Sequence, residues 1–282
     1  MGDERPIGMF DSGLGGLTVA RAVIDLLPSE HLVYVGDTGR YPYGARPLAE
    51  VAGFALEIGR LLVEQHGVKL LVVACNTAAA AALDALRAAV PVPVIGVIEP
   101  GVRASVQVSE GGRIGVIATV ATVASGAYQR AFSSASASAA AAPDGGGTGP
   151  VELTCAACPG FVEFVERGEV RSDQVTILAE RLLAPVIDAR VDTLLLGCTH
   201  YPFLARTISD VVGRDVVLVS SADETAFEVA ASLSSSGTAR PAGGAPAVHR
   251  FLSSGPIASF RDLGQALLGP EVTEVEPLAW PE

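Results

Sequence analysis

The chain has 282 residues, of which 49% are hydrophobic and 18% are charged, and its formal net charge at pH 7 is −12. A protein this acidic offers no extended positively charged surface to nucleic acid or to an anionic membrane. Neither is therefore an expected partner. No apolar stretch reaches the length of a membrane span, and the charged N-terminal residues do not resemble a signal peptide, which favours a cytoplasmic location. Four cysteines in a chain of this length do not indicate a disulfide scaffold.

Short runs of β-branched residues alternate with longer helical patterns, which predicts an α/β fold with mainly parallel sheets covered by helices. In the first part of the chain the pattern predicts strands at 6–10, 31–36, 68–74, 92–98 and 113–118, and helices at 18–27, 48–65 and 76–89. In the second part it predicts a weak strand at 151–153, strands at 193–197 and 216–220, helices at 172–189, 204–212 and 223–233, and a strand–helix–strand tail.

Two segments have the composition of linkers. Residues 133–149 are rich in Ser and Ala and then in Gly, and they are expected to form a mobile surface insertion that is peripheral to catalysis. Residues 240–247 are expected to form a shorter Pro/Gly loop.

Two buried strand patterns end in the same way, with a cysteine and polar residues followed by a helix. One is Leu70–Thr77 and the other is Leu194–His200. A cysteine at a strand end is usually a small buried hydrophobic residue, but the recurrence of one local context favours a functional role for both. The recurrence also predicts two similar α/β domains that face each other.

Polar residues follow four of the predicted strands. In open α/β sheets, ligands bind beyond the C-terminal ends of the strands, and helix N-termini attract anions. Several such ends converging on one pocket would suit a substrate with two carboxylates. The four segments are Asp11–Gly16, Asp37 with Tyr41–Gly44, Cys75–Thr77 and Cys198–Pro202.

The positions of Cys75 and Cys198 suit acid–base chemistry, because a cysteine at a helix N-terminus has a lowered pKa. Removing the α-proton of an amino acid without a cofactor requires a close, aligned base and donors for the carboxylate. Inversion of the α-carbon also requires a proton donor on the opposite face. Two cysteines on facing domains meet both needs, one as thiolate and the other as thiol, with their roles exchanged in the reverse reaction.

The sequence Cys155-Ala-Ala-Cys158 resembles a redox motif or half of a zinc site. A structural zinc site takes four ligands, and no second Cys pair or His pair accompanies this one in the sequence. A metal is therefore not predicted.

Four motifs together resemble those of glutamate racemase, in order and over most of the chain. They are Phe10–Gly16, Gly36–Gly44, Ala74–Ala78 and Gly197–Pro202. The resemblance implies a cofactor-independent isomerase that interconverts L- and D-glutamate through two cysteines and supplies D-glutamate for bacterial peptidoglycan. It also implies a homodimer of two-domain subunits with the active site in the cleft between the domains. We place the first domain at 1–98 with 208–282 and the second at 99–207.

The resemblance assigns roles to residues position by position. Cys75 and Cys198 match the two catalytic bases, Asp11 and His200 match residues that adjust the protonation of the nearby thiol, and Asp37 and Glu166 match supporting acids. The positions expected to contact substrate are Asp11, Ser12, Tyr43, Gly44, Asn76, Thr77, Thr122, Thr199 and His200. The segment Cys158–Glu166 departs from the usual family sequence, with Gly, Glu and Phe where Leu, Pro and Leu are common.

Three alternatives remain open. An aspartate racemase of the same family also has paired cysteines, but a shorter substrate would leave the donors for the γ-carboxylate unpaired. A cysteine hydrolase could use Cys198 with His200, but the sequence shows no third orienting group and leaves Cys75 idle. Some members of the resembled family inhibit DNA gyrase, so a partner-binding role is the third alternative.

Overall fold

The elements are taken from a computed structural model, which describes residues 2–140, 151–269, 271–272 and 274–280. In chain order the strands are β1 (Ile7–Asp11), β2 (Leu32–Gly36), β3 (Leu70–Val73), β4 (Val94–Gly96), β5 (Arg113–Ala118), β6 (Glu152–Ala157), β7 (Thr193–Gly197), β8 (Val217–Ser220), β9 (His249–Ser253) and β10 (Val275–Pro277). The helices are α1 (Leu17–Leu26), α2 (Leu48–His66), α3 (Asn76–Ala89), α4 (Ile98–Val108), α5 (Val120–Ala124), α6 (Ala127–Ala140), α7 (Phe161–Glu166), α8 (Asp173–Asp188), α9 (Ala205–Val212), α10 (Ala222–Ser236) and α11 (Ile257–Leu268).

The chain divides into two units, each with its own parallel sheet. The first unit is Met1–Val97 with Ala222–Glu282, and the second is Ile98–Ser221. The α/β class with mainly parallel sheets, predicted from the alternating pattern, is confirmed. In the described part of the chain, no helix combines the length and apolarity needed to cross a membrane.

The sheet of the first unit has six strands in the order β10-β9-β2-β1-β3-β4. The strand β1 lies in its interior and is buried along its whole length, as expected of a strand covered on both faces. In register, Asp11 lies beside Gly36, and Phe10 lies beside Val73. The C-terminal ends of β1, β2 and β3 therefore meet at one edge, and the residues that follow them emerge together.

Close packing at this edge explains why residue 16 is a glycine. A Cβ on Gly16 would lie 2.6 Å from the Cβ of Asp11 and 2.8 Å from the hydroxyl of Tyr34. The ring of Tyr34 in turn packs against Phe251 and Phe260, with centroids 6.2 and 6.3 Å away. Only a residue without a side chain lets α1 begin this close to β1.

The sheet of the second unit has four strands in the order β6-β5-β7-β8. Because β8 pairs with β7, with Leu195 beside Val219, residues 208–221 belong to this unit. The predicted assignment of that stretch to the first domain is wrong, since the local pattern of a strand does not show which sheet will accept it. Ala118 lies beside Gly197, so β5 and β7 also end at a common edge.

The sequence prediction also differs from the structure at the helices that flank β5 and β6. Residues 133–140 were expected in a mobile insertion but belong to α6, because Ala is a strong helix former and Tyr128 and Phe132, four residues apart, are buried. Residues 141–149 of that predicted insertion lie outside the described residues. The helices α4, α5 and α7 were not predicted. In α4, Pro100 lies in the first helical turn, where Pro is well tolerated.

Candidate active site

Cys75 follows β3 and caps the N-terminus of α3. Its backbone is extended, with φ −87° and ψ 119°, and its Sγ accepts a hydrogen bond from the backbone N–H of Ala78 over 3.5 Å. The residue is 5% exposed. A sulfur that accepts from a helix N-terminus is stabilised as a thiolate. Asn76 and Thr77 form the first turn of the same helix and are buried beside it.

Asp11 is the last residue of β1 and is fully buried. Its Oδ1 accepts a hydrogen bond of 2.8 Å from the backbone N–H of Gly13, and this bond shapes the turn into α1. Ser12 is buried in that turn. Asp11 and Ser12 therefore stand at the same sheet edge as Cys75.

Asp37 follows β2 and is also fully buried. Its Oδ2 accepts hydrogen bonds from Nε of Arg40, over 2.7 Å, and from the hydroxyl of Tyr43. Its Oδ1 accepts from Oγ of Ser254 over 2.5 Å. Three donors thus hold one carboxylate, and together they shape the segment that leads to Gly44.

The hydroxyl of Tyr43 donates its hydrogen bond to Asp37. Burial raises the pKa of Tyr43, and the negative charges of Asp37 and Cys75 raise it further, so the phenol stays protonated and donates. It has one hydrogen to donate, which leaves none for a substrate carboxylate. Any contact between Tyr43 and an anionic substrate would therefore use its backbone N–H, as at Gly44.

In the second unit, Cys198 follows β7 and lies beside His200. The distance from Sγ of Cys198 to Nδ1 of His200 is 3.9 Å, and Nε2 of His200 lies 2.8 Å from Oε1 of Glu166. With Nε2–H donated to Glu166, the lone pair of Nδ1 faces the thiol. This arrangement would allow a proton to pass between the thiol and the imidazole, with Glu166 placed to stabilise an imidazolium.

The contact of Glu166 with His200 corrects one sequence inference. The sequence showed no third group that could orient the histidine, but Glu166 supplies one from α7. The two residues are 34 positions apart, so their contact depends on how α7 packs and could not be derived from spacing.

Two threonines complete the polar residues at this second edge. Thr119 caps α5, and its Oγ1 lies 2.9 Å from Oγ1 of the buried Thr122. Thr199 is buried directly after Cys198. Since β5 and β7 end side by side, Thr122 and Thr199 lie at the same edge of the second sheet.

Cys155 and Cys158 have the properties of structural thiols. Burial raises the pKa of Cys155 to about 11 and, with a smaller effect of Cys198, that of Cys158 to about 12. Both are therefore protonated at neutral pH, unlike a thiolate base. The described residues contain no group of three or more His, Cys, Asp or Glu side chains that could hold a metal ion.

The sequence did not single out Arg40 and Ser254 as site residues. Arg40 lies inside a motif that the sequence did identify, but its partners are revealed only by packing. Ser254 contacts Asp37 from 217 positions further along the chain. A short Ser-Ser-Gly turn after β9 gives no signal of that contact.

Sequence comparison identifies the family. A model of the Asp/Glu/Hydantoin racemase family matches residues 17–228, which include Cys75 and Cys198. The chain belongs to the Asp/Glu/hydantoin racemase family. Within this racemase family, a glutamate racemase from Acidothermus cellulolyticus is 52% identical over 97% of this chain and 98% of its own.

Solved structures of other racemases agree with this assignment. A glutamate racemase from Bacillus anthracis superposes with a TM-score of 0.89 at 40% identity, covering 99% of both chains. The glutamate racemase from Francisella tularensis, solved in complex with D-glutamate, gives a TM-score of 0.87 at 31% identity, over 99% of this chain and 98% of the other. The resemblance to glutamate racemases read from the four motifs is therefore confirmed.

Proposed function

We propose that this protein is a cofactor-independent glutamate racemase in which Cys75 and Cys198 are the two acid–base groups. The observation that carries the proposal is that a cysteine follows a buried strand in each unit. Each cysteine has neighbouring groups that can stabilise the charge formed when its proton is transferred. Cys75 has the N-terminus of α3, and Cys198 has His200 and Glu166. The identity of more than half to a glutamate racemase supports the choice of substrate.

The mechanism follows from proton transfer between these groups. One thiolate removes the α-proton of the bound amino acid, and its S–H bond forms as the C–H bond breaks. The thiol of the other cysteine delivers its proton to the opposite face of the carbanion. One thiol and one thiolate remain after turnover, with their positions exchanged, so a reaction in the opposite direction or proton exchange with water restores the starting state.

The remaining residues of the two edges are proposed to bind substrate. The backbone N–H groups at the start of α3 and of the turn after Asp11 suit a carboxylate. The hydroxyls and amides proposed to add donors are those of Ser12, Asn76, Thr77, Thr122 and Thr199. It remains a prediction that Asp11 and His200 adjust the protonation of the nearby thiol and contact the substrate. We also propose that Glu166 orients His200.

The biological setting is proposed on the same basis. D-Glutamate would be supplied for peptidoglycan synthesis in the cytoplasm. A homodimer remains a prediction, as does an interaction with DNA gyrase. A pull-down with a variant lacking both Cys75 and Cys198 would separate binding from catalysis, since binding to gyrase would survive the loss of racemisation.

The test uses L-glutamate in D₂O without added cofactor, followed by optical rotation and by loss of the α-proton signal. We expect the wild type to bring the rotation to zero while deuterium enters at the α-carbon. Cys75→Ser and Cys198→Ser should each lose at least about a hundredfold in racemisation, because a serine hydroxyl is a far weaker acid than a thiol. Cys155→Ser is the matched control and should keep wild-type activity. Wild-type protein inert toward glutamate would refute the proposal, and turnover of aspartate alone would reassign the substrate.

A cysteine hydrolase is a second candidate, because Cys198, His200 and Glu166 form a nucleophile–base–orienter chain. In such an enzyme Cys75 would have no role. An activated ester should therefore give a burst of acyl-enzyme that Cys75→Ser retains and Cys198→Ser loses. Equal loss of racemisation in both variants, with no burst, would exclude the hydrolase.

A further inference from the structure

The guanidinium of Arg40 lies against two aromatic rings of the first unit. Its Cζ is 4.3 Å from the ring centroid of Phe54 and 4.1 Å from that of Trp280. Both distances are well within the range of cation–π attraction, and a Trp ring gives the strongest such contact. Trp280 thus links the C-terminal segment to the loop that follows β2.

The edges of the same guanidinium are held by two carboxylates. Its Nε donates to Asp37 over 2.7 Å, and its Nη1 donates to Glu57 over 2.5 Å. Its Nη2 is buried and, within the described part of the chain, has no hydrogen-bond partner. A buried donor of this kind is costly unless its charge is compensated, and the neighbouring rings supply that compensation.

The position of Arg40 determines how Asp37 is held. Asp37 receives Arg40 and Tyr43 on the same oxygen, Oδ2. If Arg40 moves away, the carboxylate keeps Ser254 and Tyr43 but loses its counter-charge. The backbone from Asp37 to Gly44 would then lose one of the contacts that fix its course. This backbone is the part of the loop proposed to meet the substrate.

We propose that Trp280 is a positioning residue for substrate binding, which holds Arg40 against Asp37 and thereby fixes the segment Asp37–Gly44. This inference rests on the proposed racemase function. Trp280 itself touches Arg40 rather than the reacting atoms. Loss of its ring should weaken the binding of both enantiomers equally and should leave the chemical step unchanged. The reason is that a displaced backbone N–H of this segment would bind the substrate carboxylate less well in the ground state and in the transition state alike.

A first experiment tests the contact without any assay of activity. Trp280 is the sole tryptophan of the chain, so tryptophan fluorescence reports on this position alone. Acrylamide should quench it weakly in the wild type and at least about twice as strongly in Arg40→Ala, where the covering guanidinium is absent. Phe227→Ala, which removes an exposed ring of α10, is the control and should leave quenching unchanged. Equal quenching in the wild type and Arg40→Ala would overturn the inference, whether or not the protein racemises glutamate.

A second experiment measures kcat and KM in both directions for Trp280→Leu and Trp280→Phe. Leu keeps apolar bulk but has no π face, so the cation–π contact with Arg40 is lost. We expect KM to rise about three- to tenfold for both enantiomers, which corresponds to the loss of one such contact, and kcat to stay within about twofold of the wild type. Phe keeps a ring and should restore most of the affinity. Arg40→Lys should raise KM similarly, and the double variant Arg40→Lys with Trp280→Leu should be no worse than the poorer single one.

The outcomes separate this inference from the proposed function. If Trp280→Leu folds and keeps the wild-type KM, or if it loses only kcat, the positioning role is overturned. The proposed racemase function would stand in either case. If Trp280→Leu does not fold, the KM of Arg40→Lys decides in the same way. If the wild type does not racemise glutamate, the proposed function fails, and with it the positioning role, even where quenching establishes the contact.

Discussion

The Nε2 atom of His200 lies 2.8 Å from Oε1 of Glu166, within the second unit. This contact holds the imidazole by the nitrogen that faces away from Cys198, and it sets which nitrogen faces the thiol. Glu166 therefore acts on the proposed proton transfer through His200, without needing to reach the substrate.

Replacing Glu166 by Gln should slow racemisation about ten- to a hundredfold with little change in KM. The amide can still accept from Nε2–H, but it cannot stabilise an imidazolium, as in other carboxylate–histidine pairs. Steady-state kinetics across pH should show the loss in kcat. Glu163→Gln, on the exposed face of the same short helix, should behave as the wild type. An unchanged kcat in Glu166→Gln would remove this carboxylate from the mechanism.

Replacing Tyr43 by Phe should destabilise the first unit by about 1.5–3 kcal/mol, because the hydroxyl donates to the buried, charged carboxylate of Asp37. Urea unfolding followed by the fluorescence of Trp280 would measure the loss. Tyr34→Phe is a comparison, since that hydroxyl donates over 3.0 Å to the neutral carbonyl of Gly13, and it should cost about 0.5–1.5 kcal/mol. A smaller loss for Tyr43→Phe than for Tyr34→Phe would contradict the assignment of charge to Asp37.

Replacing Lys69 by Met should destabilise the first unit by about 3–5 kcal/mol, since it leaves a charged carboxylate buried without its partner. The Lys69 side chain is 0% exposed, and its Nζ lies 2.6 Å from Oε2 of Glu30. It also donates to two backbone carbonyls, those of Asp3 and Thr238.

Denaturant unfolding should show that adding Glu30→Gln to Lys69→Met recovers part of this loss. The control is Arg250→Gln, which breaks a half-exposed ion pair with Glu276 and should cost less than about 1 kcal/mol. Equal losses at the buried and the exposed pair would show that Glu30 reaches water when Lys69 is gone.

The stability of the second unit should fall as pH rises above 9. Burial raises the pKa of Cys158 from 9.0 to about 12, so between these values the unfolded thiol loses its proton while the folded thiol keeps it. Fewer protons are then bound in the unfolded state, and the free energy of unfolding decreases with pH, by up to about 1.4 kcal/mol per unit.

Unfolding under reducing conditions at several pH values would measure that slope. Cys158→Ala should be less stable at pH 7, because it removes a buried sulfur, but its stability should fall less steeply above pH 9. Cys155 has the smaller shift, to about 11, so its contribution ends at a lower pH, and Cys155→Ala should recover a smaller part of the total loss. Parallel curves for the wild type and Cys158→Ala would show that this thiol does not titrate on unfolding.

The strands that carry the candidate site were predictable because their signal is local. The apolar runs before Asp11, Cys75 and Cys198 are buried on both faces, and such runs predict interior strands without reference to the rest of the chain. The cap formed by Cys75 was predictable for the same reason, since a helix pattern begins at the next residue.

Contacts between distant parts of the chain could not be predicted in this way. Ser254 and Trp280 reach the loop after β2 from the C-terminal segment, and no periodicity links them to Arg40 or Asp37. The place of β8 in the second sheet is a further case, because strand pairing is decided by tertiary packing. Local patterns therefore identified what each segment forms, and packing decided which segments meet.

The division of the chain has a consequence for synthesis on the ribosome. The second unit is continuous, so all its strands have emerged before β9 is made, whereas the sheet of the first unit awaits β9 and β10. Until then β2, which finally pairs with β9, has one unpaired edge, and open edges invite association with other chains. The nascent polypeptide thus carries this open edge from the time β2 is made until β9 follows it, which is most of its translation.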